Sequence, residues 1–241
     1  MRFVRGAALA LVIIAVPVFL ITSNVRIVIY SDRLYNYGFD KYGISEVTGI
    51  ERPHLMRVAG EIKDYFSDDT SFLESPVVMG GVERQLFNGR EVLHMADVKG
   101  LVRGVLLLQK LSLSVILGVC GGGLMLLGPR RGPPFVARGV LWGCLATVAV
   151  ILFAGLGSLA NFESLFILFH QVSFSNNLWL LDPRTDYLLM MFPEGFFLDA
   201  TLFIAELSLA QAVLAGTAAG GYVWWRRRVE AARKGAARAE G

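Results

Sequence analysis

Four apolar runs constrain this chain more than any other feature, because each is long enough to cross a lipid bilayer. They cover approximately residues 7–23, 111–127 (with a helix starting near 105), 139–160 and 200–225. A hydrocarbon core of about 30 Å requires about 20 helical residues. Charged residues make up only 18% of the chain, against roughly 25% in soluble domains. The sequence therefore predicts an integral membrane protein and disfavours a coiled coil or a simple soluble enzyme.

Basic residues are concentrated on one side of the predicted membrane. The N-terminus, the segment 128–138 and the tail 226–241 hold eleven basic and two acidic residues, whereas 26–104 and 161–199 hold eleven basic and seventeen acidic ones. The positive-inside rule then predicts cytoplasmic termini and two extracytoplasmic segments. Arg2 and Arg5 before the first run also suit a cleaved signal peptide, but no A-x-A site follows. The basic tail is interpreted as an orientation signal rather than a nucleic-acid site.

The predicted fold is an all-α polytopic membrane protein with four transmembrane helices, a small extracytoplasmic α(+β) cap and a re-entrant or interfacial loop. Glycines four residues apart in the spans, at Gly139/Gly143 and Gly216/Gly220, predict close helix packing. The predicted segments are TM1 at 1–25, the cap at 26–104, TM2 at 105–127, a cytoplasmic loop at 128–138, TM3 at 139–160, an extracytoplasmic or re-entrant loop at 161–199, TM4 at 200–225 and a basic cytoplasmic tail at 226–241.

The cap has mixed local signals. The β-branched run 26–30 favours a strand, and the tyrosines and glycines of 35–43 favour an aromatic loop. Apolar residues at helical spacing predict an amphipathic helix over 53–66. Residues 82–87 favour a strand, and a further helix is predicted to begin near Arg90 and lead into TM2.

The loop 161–199 is too interrupted by polar residues and prolines to span a bilayer, and too apolar to be a free loop. Non-helical backbone at membrane depth must line a cavity or be covered by protein. A re-entrant or interfacial segment is therefore predicted here, and this is where a membrane site would be built.

The histidines fall in the two predicted extracytoplasmic segments. On a helix, Glu91 and Asp97 lie three residues before and after His94, close enough to one face for a carboxylate to orient the imidazole. His170 follows an apolar run just after TM3. From these positions alone, a structural pair of histidines and a functional pair are both possible.

Other chemistries find little support in the sequence. Cys120 and Cys144 lie in apolar runs, and there is no H-E-x-x-H motif, so neither a metal nor another cofactor is predicted. Ser173 and Ser175 beside His170 keep a membrane phospholipid hydrolase or acyltransferase open as an alternative. A non-catalytic tetraspan scaffold is the other alternative.

Two blocks of sequence carry a more specific pattern. The first contains Phe87, Asn88, Glu91, His94, Met95, Asp97, Val98 and Lys99, and the second contains Phe169, His170, Phe174, Asn176, Trp179, Leu181, Asp182, Pro183, Asp186, Met191, Phe192, Pro193, Phe196 and Phe197. With the four-span layout and the amphipathic helix, these blocks resemble the bacterial lipoprotein intramolecular transacylase family, Lit.

The resemblance implies an enzyme of the bacterial cell membrane. Its expected partners are its substrates, the diacylglyceryl-modified lipoproteins, and the surrounding membrane lipid. Such an enzyme moves the sn-2 acyl chain of the N-terminal diacylglyceryl-cysteine onto its α-amine and yields the lyso-form lipoprotein. The family's two essential histidines match His94 and His170. The acyl donor and the accepting amine belong to one molecule, so proximity can lower the activation barrier by roughly 7–11 kcal/mol. An acyl-enzyme intermediate is therefore not required.

We hypothesise that His94, oriented by Asp97 or Glu91, is the general base on the amine, and that His170 donates to the oxyanion or the leaving glyceryl oxygen. The two roles could be exchanged. The candidate positioning residues are Asn176, Asn177, Trp179 and Asp182. The candidate acyl-groove residues are Phe169, Phe174, Phe192, Phe196 and Phe197.

Overall fold

The computed structural model describes residues 2–79 and 82–239, and it is 82% helical. The predicted all-α class is confirmed, with a single hairpin of β-strands in the described residues. In chain order the elements are α1 (Arg2–Ile29), α2 (Asp32–Lys41), α3 (Ile44–Thr48), α4 (Arg52–Ser67), β1 (Pro76–Met79), β2 (Val82–Gln85), α5 (Gly89–Ala160), α6 (Phe162–Ser173), α7 (Tyr187–Met191) and α8 (Glu194–Ala239). Strands β1 and β2 pair antiparallel, with Pro76 opposite Gln85.

Three described helices are long and apolar enough to cross a membrane: Phe3–Ile29, Gly89–Ala160 and Glu194–Arg233. The second, α5, contains non-helical backbone at Gly128, where φ is 67° and ψ is −179°. Glycine adopts positive φ without the steric cost of a Cβ. Past this residue the chain doubles back, because a Cβ on Gly132 would lie only 2.9 Å from the Cα of Leu124. Element α5 is therefore a helical hairpin that folds at Gly128.

The described chain forms two compact units. The first consists of the residues up to Asn24, Leu107–Ala154 and the residues from Ala205 on. Its buried core contains Val12, Val16, Cys144 and Ala212. The expected close packing at glycine is confirmed, since a Cβ on Gly143 would lie 2.6 Å from the Cβ of Val16. A polar link reinforces this core, because the buried Asn24 amide donates to Ser208 Oγ at 2.8 Å and to Gln211 Oε1 at 3.0 Å.

The second unit consists of Val25–Leu106 and Gly155–Ile204 and has a larger hydrophobic core. The predicted amphipathic helix is confirmed as α4, whose residues Leu55, Val58 and Ala59 are fully buried. The predicted strand beginning at Val82 is also confirmed, although it ends at Gln85.

Two local predictions in this unit are wrong. Residues 26–29 continue helix α1 instead of forming a strand, because extending an existing helix adds one hydrogen bond per residue and overrides weak β-propensity. Residues 35–41 form helix α2 instead of an aromatic loop. Tyr35 and Phe39 are four residues apart on one face, and both are buried in the core.

Helix α2 packs closely against the first turns of α8. A Cβ on Gly38 would lie 2.4 Å from Cδ2 of Phe196, so only glycine permits this approach without rearrangement. Lys41 Nζ donates to both carboxylate oxygens of the buried Asp199 at 2.8 Å, and the Tyr42 hydroxyl donates to Oδ2 at 2.9 Å. These contacts fix the start of α8, which carries Phe197 towards the histidines described next.

Candidate active site

His94 is positioned by the N-terminal cap of helix α5. The Asn88 side chain accepts hydrogen bonds from the backbone N–H groups of Arg90 and Glu91, at 2.9 and 3.1 Å. In return, the Glu91 carboxylate accepts from the N–H of Asn88 at 2.7 Å, which completes a capping box. The cap fixes where the helix begins and thereby the direction in which His94 points from the second turn.

His170 lies in the last turn of helix α6, which Asn161 caps by accepting from the Ser164 N–H at 3.0 Å. Its Nδ1 is 2.7 Å from the carbonyl oxygen of Phe166, one turn earlier. A carbonyl oxygen can only accept, so Nδ1 must carry the hydrogen. In the neutral ring, Nε2 then holds the free lone pair, and His170 is a proton acceptor at that atom.

The two imidazoles are neighbours although they are 76 residues apart in sequence. Their ring centroids are 6.1 Å apart, and both side chains are buried, at 6% and 8% exposure. The ring of Phe174 lies 5.2 Å from that of His94 and 5.6 Å from that of His170. Trp179 lies beside His170, with ring centroids 5.0 Å apart and planes inclined by 31°.

Both imidazoles are neutral near pH 7. Burial lowers the pKa of His94 to about 4, with smaller contributions from His170, which lowers it further, and from Asp97, which raises it. Burial also lowers the pKa of His170, while the hydrogen bond to Phe166 opposes this shift. Nδ1 of His94 is buried without a hydrogen-bond partner in the described part of the chain. A hydrogen on that atom would be an unsatisfied buried donor, which favours the tautomer with the hydrogen on Nε2.

Four hydrogen bonds fasten the segment 174–188 to the start of α5. Asn176 Nδ2 donates to Asp97 Oδ2 at 2.8 Å, and Arg90 Nη2 donates to the Asn177 carbonyl at 2.5 Å. Asn88 Nδ2 donates to Asp186 Oδ1 at 2.9 Å, and the Leu188 N–H donates to Glu91 Oε1 at 2.6 Å. These bonds hold Phe174 and Trp179 against the histidines.

Glu91 has a different role from the one expected. Its two oxygens accept from the backbone of Asn88 and Leu188, so it does not orient His94. Burial raises the pKa of this carboxyl group, while its two backbone donors lower it. With 1% exposure, Glu91 is a structural residue that joins α5 to the 174–188 segment.

Replacing Glu91 with alanine should lower the free energy of unfolding by about 2–5 kcal/mol, because two buried N–H groups lose their acceptor. Chemical denaturation in detergent micelles measures this change. The exposed Glu83 of β2 is the matched control, and Glu83→Ala should stay within about 0.5 kcal/mol of the parent. A Glu91→Ala variant as stable as the Glu83→Ala control would contradict the structural role.

Asp97 and Asp182 also differ in their surroundings. Asp97 is half-buried, and its Oδ2 accepts from Asn176. Asp182 accepts from the backbone and side chain of Arg184, which lowers its pKa to about 2. Asp182 therefore shapes its own turn, and its carboxylate is already paired with a cation.

The candidate groove residues separate into two groups. Phe192 and Phe196 are buried in the core, with ring centroids 6.1 and 5.9 Å from that of Tyr35. This burial argues against an acyl groove lined by these two residues, because little of either ring is open for a chain to contact. Phe169 and Phe197 are 48% and 38% exposed and stay candidates, whereas Phe174 is buried against the histidines.

One site residue was not predicted from the sequence. Phe166 accepts the His170 hydrogen bond, and its ring centroid lies 4.3 Å from that of His170 and 5.2 Å from that of Phe197. The signal was present, because residues four apart on a helix share a face. Within residues 2–79 and 82–239, no three His, Cys, Asp or Glu side chains gather where they could hold a metal ion.

Comparisons with known proteins identify the family of this chain. The model of the family "Lipoprotein intramolecular transacylase Lit" matches residues 10–197. An uncharacterized protein of Aquifex aeolicus (strain VF5) is 30% identical over 135 residues, which are 54% of this chain and 55% of that protein. The chain thus spans about half the length of this curated relative.

Solved structures share the fold. The in meso structure of the membrane-integral lipoprotein intramolecular transacylase Lit from Bacillus cereus matches with a TM-score of 0.80 and 21% identity, covering 95% of this chain and all of that one. A variant of that protein with one histidine replaced by alanine matches with a TM-score of 0.74 and 22% identity, covering 95% of this chain and 97% of the other. On the extent of the family match, this chain belongs to the lipoprotein intramolecular transacylase (Lit) family.

Proposed function

We propose that this protein catalyses O-to-N acyl transfer within bacterial lipoproteins. The sn-2 acyl chain of the diacylglyceryl-cysteine moves to the α-amine of the same cysteine and leaves the lyso-form. The observation that carries the proposal is the pair of buried, neutral imidazoles with ring centroids 6.1 Å apart, in a chain of this family. The residues proposed to carry the chemistry are His94 and His170, and those proposed to hold them are Phe166, Phe174, Asn176 and Trp179.

The protein is a multi-pass protein of the bacterial cell membrane in this proposal, with four crossings. Helix α5 would be about 108 Å long if straight, more than three times the hydrocarbon thickness of about 30 Å, and its fold at Gly128 suits two crossings. The charge distribution favours cytoplasmic termini and an extracytoplasmic site. The segments 105–127 and 139–160 are then the second and third spans, and 200–225 is the fourth.

His170 acts as the base and then as the acid in the proposed mechanism. The free amine attacks the sn-2 ester carbon, a C–N bond forms, and the carbonyl electron pair moves to oxygen. Nε2 of His170 takes the proton from the attacking nitrogen, since its Nδ1 hydrogen is committed to Phe166. The intermediate then collapses, the bond between the acyl carbon and the glyceryl oxygen breaks, and His170 returns the proton to that oxygen.

His94 stabilises the oxyanion in this mechanism. A neutral imidazole with a lowered pKa can polarise a carbonyl by donating a hydrogen bond. The buried, unpartnered Nδ1 of His94 favours a hydrogen on Nε2, which is the donor required. The roles are thus the reverse of those first favoured from sequence spacing, and the His170–Phe166 hydrogen bond is the reason.

The aromatic rings around His170 support the charged form that arises during the reaction. Trp179 and Phe166 have ring centroids 5.0 and 4.3 Å from that of His170. An imidazolium beside these π systems gains cation–π attraction. The resting state stays neutral because burial lowers the pKa of His170.

The hydrolase alternative is less well supported. It requires a serine nucleophile activated by a histidine. Among the hydrogen bonds of the described residues, none joins the hydroxyl of Ser173 or Ser175 to His170. A direct attack by the amine needs no such nucleophile.

Mass spectrometry of a co-expressed lipoprotein tests the function. Acyl transfer leaves the mass of the lipopeptide unchanged, and fragmentation should find the acyl chain on the α-amine. Loss of one acyl chain would indicate a hydrolase instead. An unchanged diacylglyceryl lipoprotein with a free amine would indicate a scaffold.

The two imidazoles should both titrate below pH 6.5. Burial lowers both pKa values, so each ring stays neutral as the pH falls through 6.5 and gains its proton only at lower pH, near 4 for His94. NMR of histidine-labelled protein between pH 4 and 8 measures the midpoints, with His94→Gln and His170→Gln assigning the signals. A midpoint at or above 6.5 for either ring would contradict the neutral pair.

A further inference from the structure

The proposed reaction leaves one part of the substrate without a partner. A free α-amine has a pKa near 8, so most of the lipoprotein arrives as an ammonium ion at pH 7. Neither neutral histidine carries a negative charge to pair with the ammonium, and taking an unpaired charge into a buried site is costly. A site that selects this substrate needs a carboxylate near the histidines.

The acidic residues of the 174–188 segment and the α5 start can be compared by what their oxygens already bind. Both Glu91 oxygens accept from backbone N–H groups, and both Asp182 oxygens accept from Arg184. Asp186 accepts from Asn88 at Oδ1 and from the N–H of Asp182 at Oδ2. In each of these three carboxylates, both oxygens therefore already accept a hydrogen bond.

Asp97 differs from them. In the described chain its carboxylate accepts only one hydrogen bond, from Asn176 Nδ2 to Oδ2, and Oδ1 has no partner. Asp97 follows His94 by three residues on the same helix, about 4.5 Å along its axis. Asn176 comes from the loop whose residues Phe174 and Trp179 contact His170. Asp97 is therefore connected to His94 through helix α5, and to the loop beside His170 through its hydrogen bond with Asn176. Its Oδ1 is the oxygen that remains free.

We propose that Asp97 binds the α-ammonium group of the substrate's N-terminal cysteine and selects lipoproteins whose amine is still free. This inference rests on the proposed acyl transfer and adds the residue that recognises the acceptor. Charge-assisted hydrogen bonds between ammonium and carboxylate are stronger than neutral ones. Asn176, which donates to the other oxygen, holds the carboxylate in position.

The assignment also accounts for the course of the reaction. The bound ammonium first releases one proton to solvent, which leaves the neutral amine that attacks. The nitrogen becomes positively charged again as it attacks the ester carbon, and Asp97 stabilises that charge until His170 removes the second proton and passes it to the leaving glyceryl oxygen. The product nitrogen is an uncharged amide, so the attraction to Asp97 is lost and the lyso-form is released. A lipoprotein that already carries an N-acyl group lacks the charge and binds more weakly.

Equilibrium binding to the His170→Gln protein tests the assignment, because turnover is blocked in that background. The probes are a synthetic diacylglyceryl lipopeptide with a free amine and its N-acetyl counterpart, measured in nanodiscs at pH 6. With Asp97 present, the N-acetyl form should bind roughly tenfold or more weakly. Asp97→Asn, which can still accept from Asn176, should bring the two Kd values to within about twofold.

A matched acid and a pH change complete the experiment. Asp64→Asn alters an exposed carboxylate on α4 and should leave the ratio of Kd values unchanged. Asp97→Glu should retain part of the discrimination, and raising the pH to 9.5 should reduce it by neutralising the amine. Asp97→Asn weakening both probes equally, or neither, would overturn the assignment. Failure of the wild-type protein to transfer the acyl chain would overturn the proposed function but leave these Kd values interpretable.

Discussion

Replacing His170 with alanine should slow acyl transfer by about 10²–10⁴-fold, the contribution typical of a positioned general acid or base. His170→Gln should be equally slow, because an amide can replace the hydrogen bond to Phe166 but cannot accept and return a proton. The rate is measured with purified protein in nanodiscs and a synthetic diacylglyceryl lipopeptide, by quantifying N-acylated product after fragmentation in the mass spectrometer.

The folded state of the His170 variants must be controlled separately, since the ring is buried among Phe166, Phe169 and Phe174. His170→Gln is the more conservative replacement, and its thermal unfolding should stay within a few degrees of the wild type. If a folded His170→Gln protein transfers the acyl chain at the normal rate, His170 is not the base.

Replacing His94 with alanine should slow the reaction by about 10²–10³-fold, because removing one oxyanion donor costs about 2.7–4 kcal/mol of transition-state stabilisation. His94→Gln should recover a large part of this loss. Its side-chain amide supplies an N–H donor without a titratable group. This contrast with His170→Gln separates a hydrogen-bond donor from a proton acceptor in the same assay.

The opposite pattern would reverse the two roles. A His94→Gln protein as inactive as His94→Ala, together with partial activity of His170→Gln, would make His94 the base, as sequence spacing first suggested. The double variant should lose about as much as the more damaging single variant, because both residues act on one transition state and their effects are not additive.

Much of the fold could be predicted because it depends on local properties of the chain. Helix α4 was predicted from the spacing of its buried residues, and the start of α5 was predicted near Arg90, one residue after its first residue Gly89. The segments 26–30 and 35–41 were predicted wrongly because short windows do not reveal what an element packs against. Tyr35 and Phe39 become core residues only when Phe192 and Phe196 cover them.

The sequence by itself determined the membrane class and the positions of the apolar runs, because hydropathy is a property of consecutive residues, and its resemblance to the family singled out the two histidines. Only the tertiary structure decided that the rings of His94 and His170 lie 6.1 Å apart, that His170 holds its hydrogen on Nδ1, and that Glu91 serves the backbone. Those outcomes depend on which groups far apart in the chain come within hydrogen-bonding distance, and one-dimensional spacing carries no such information.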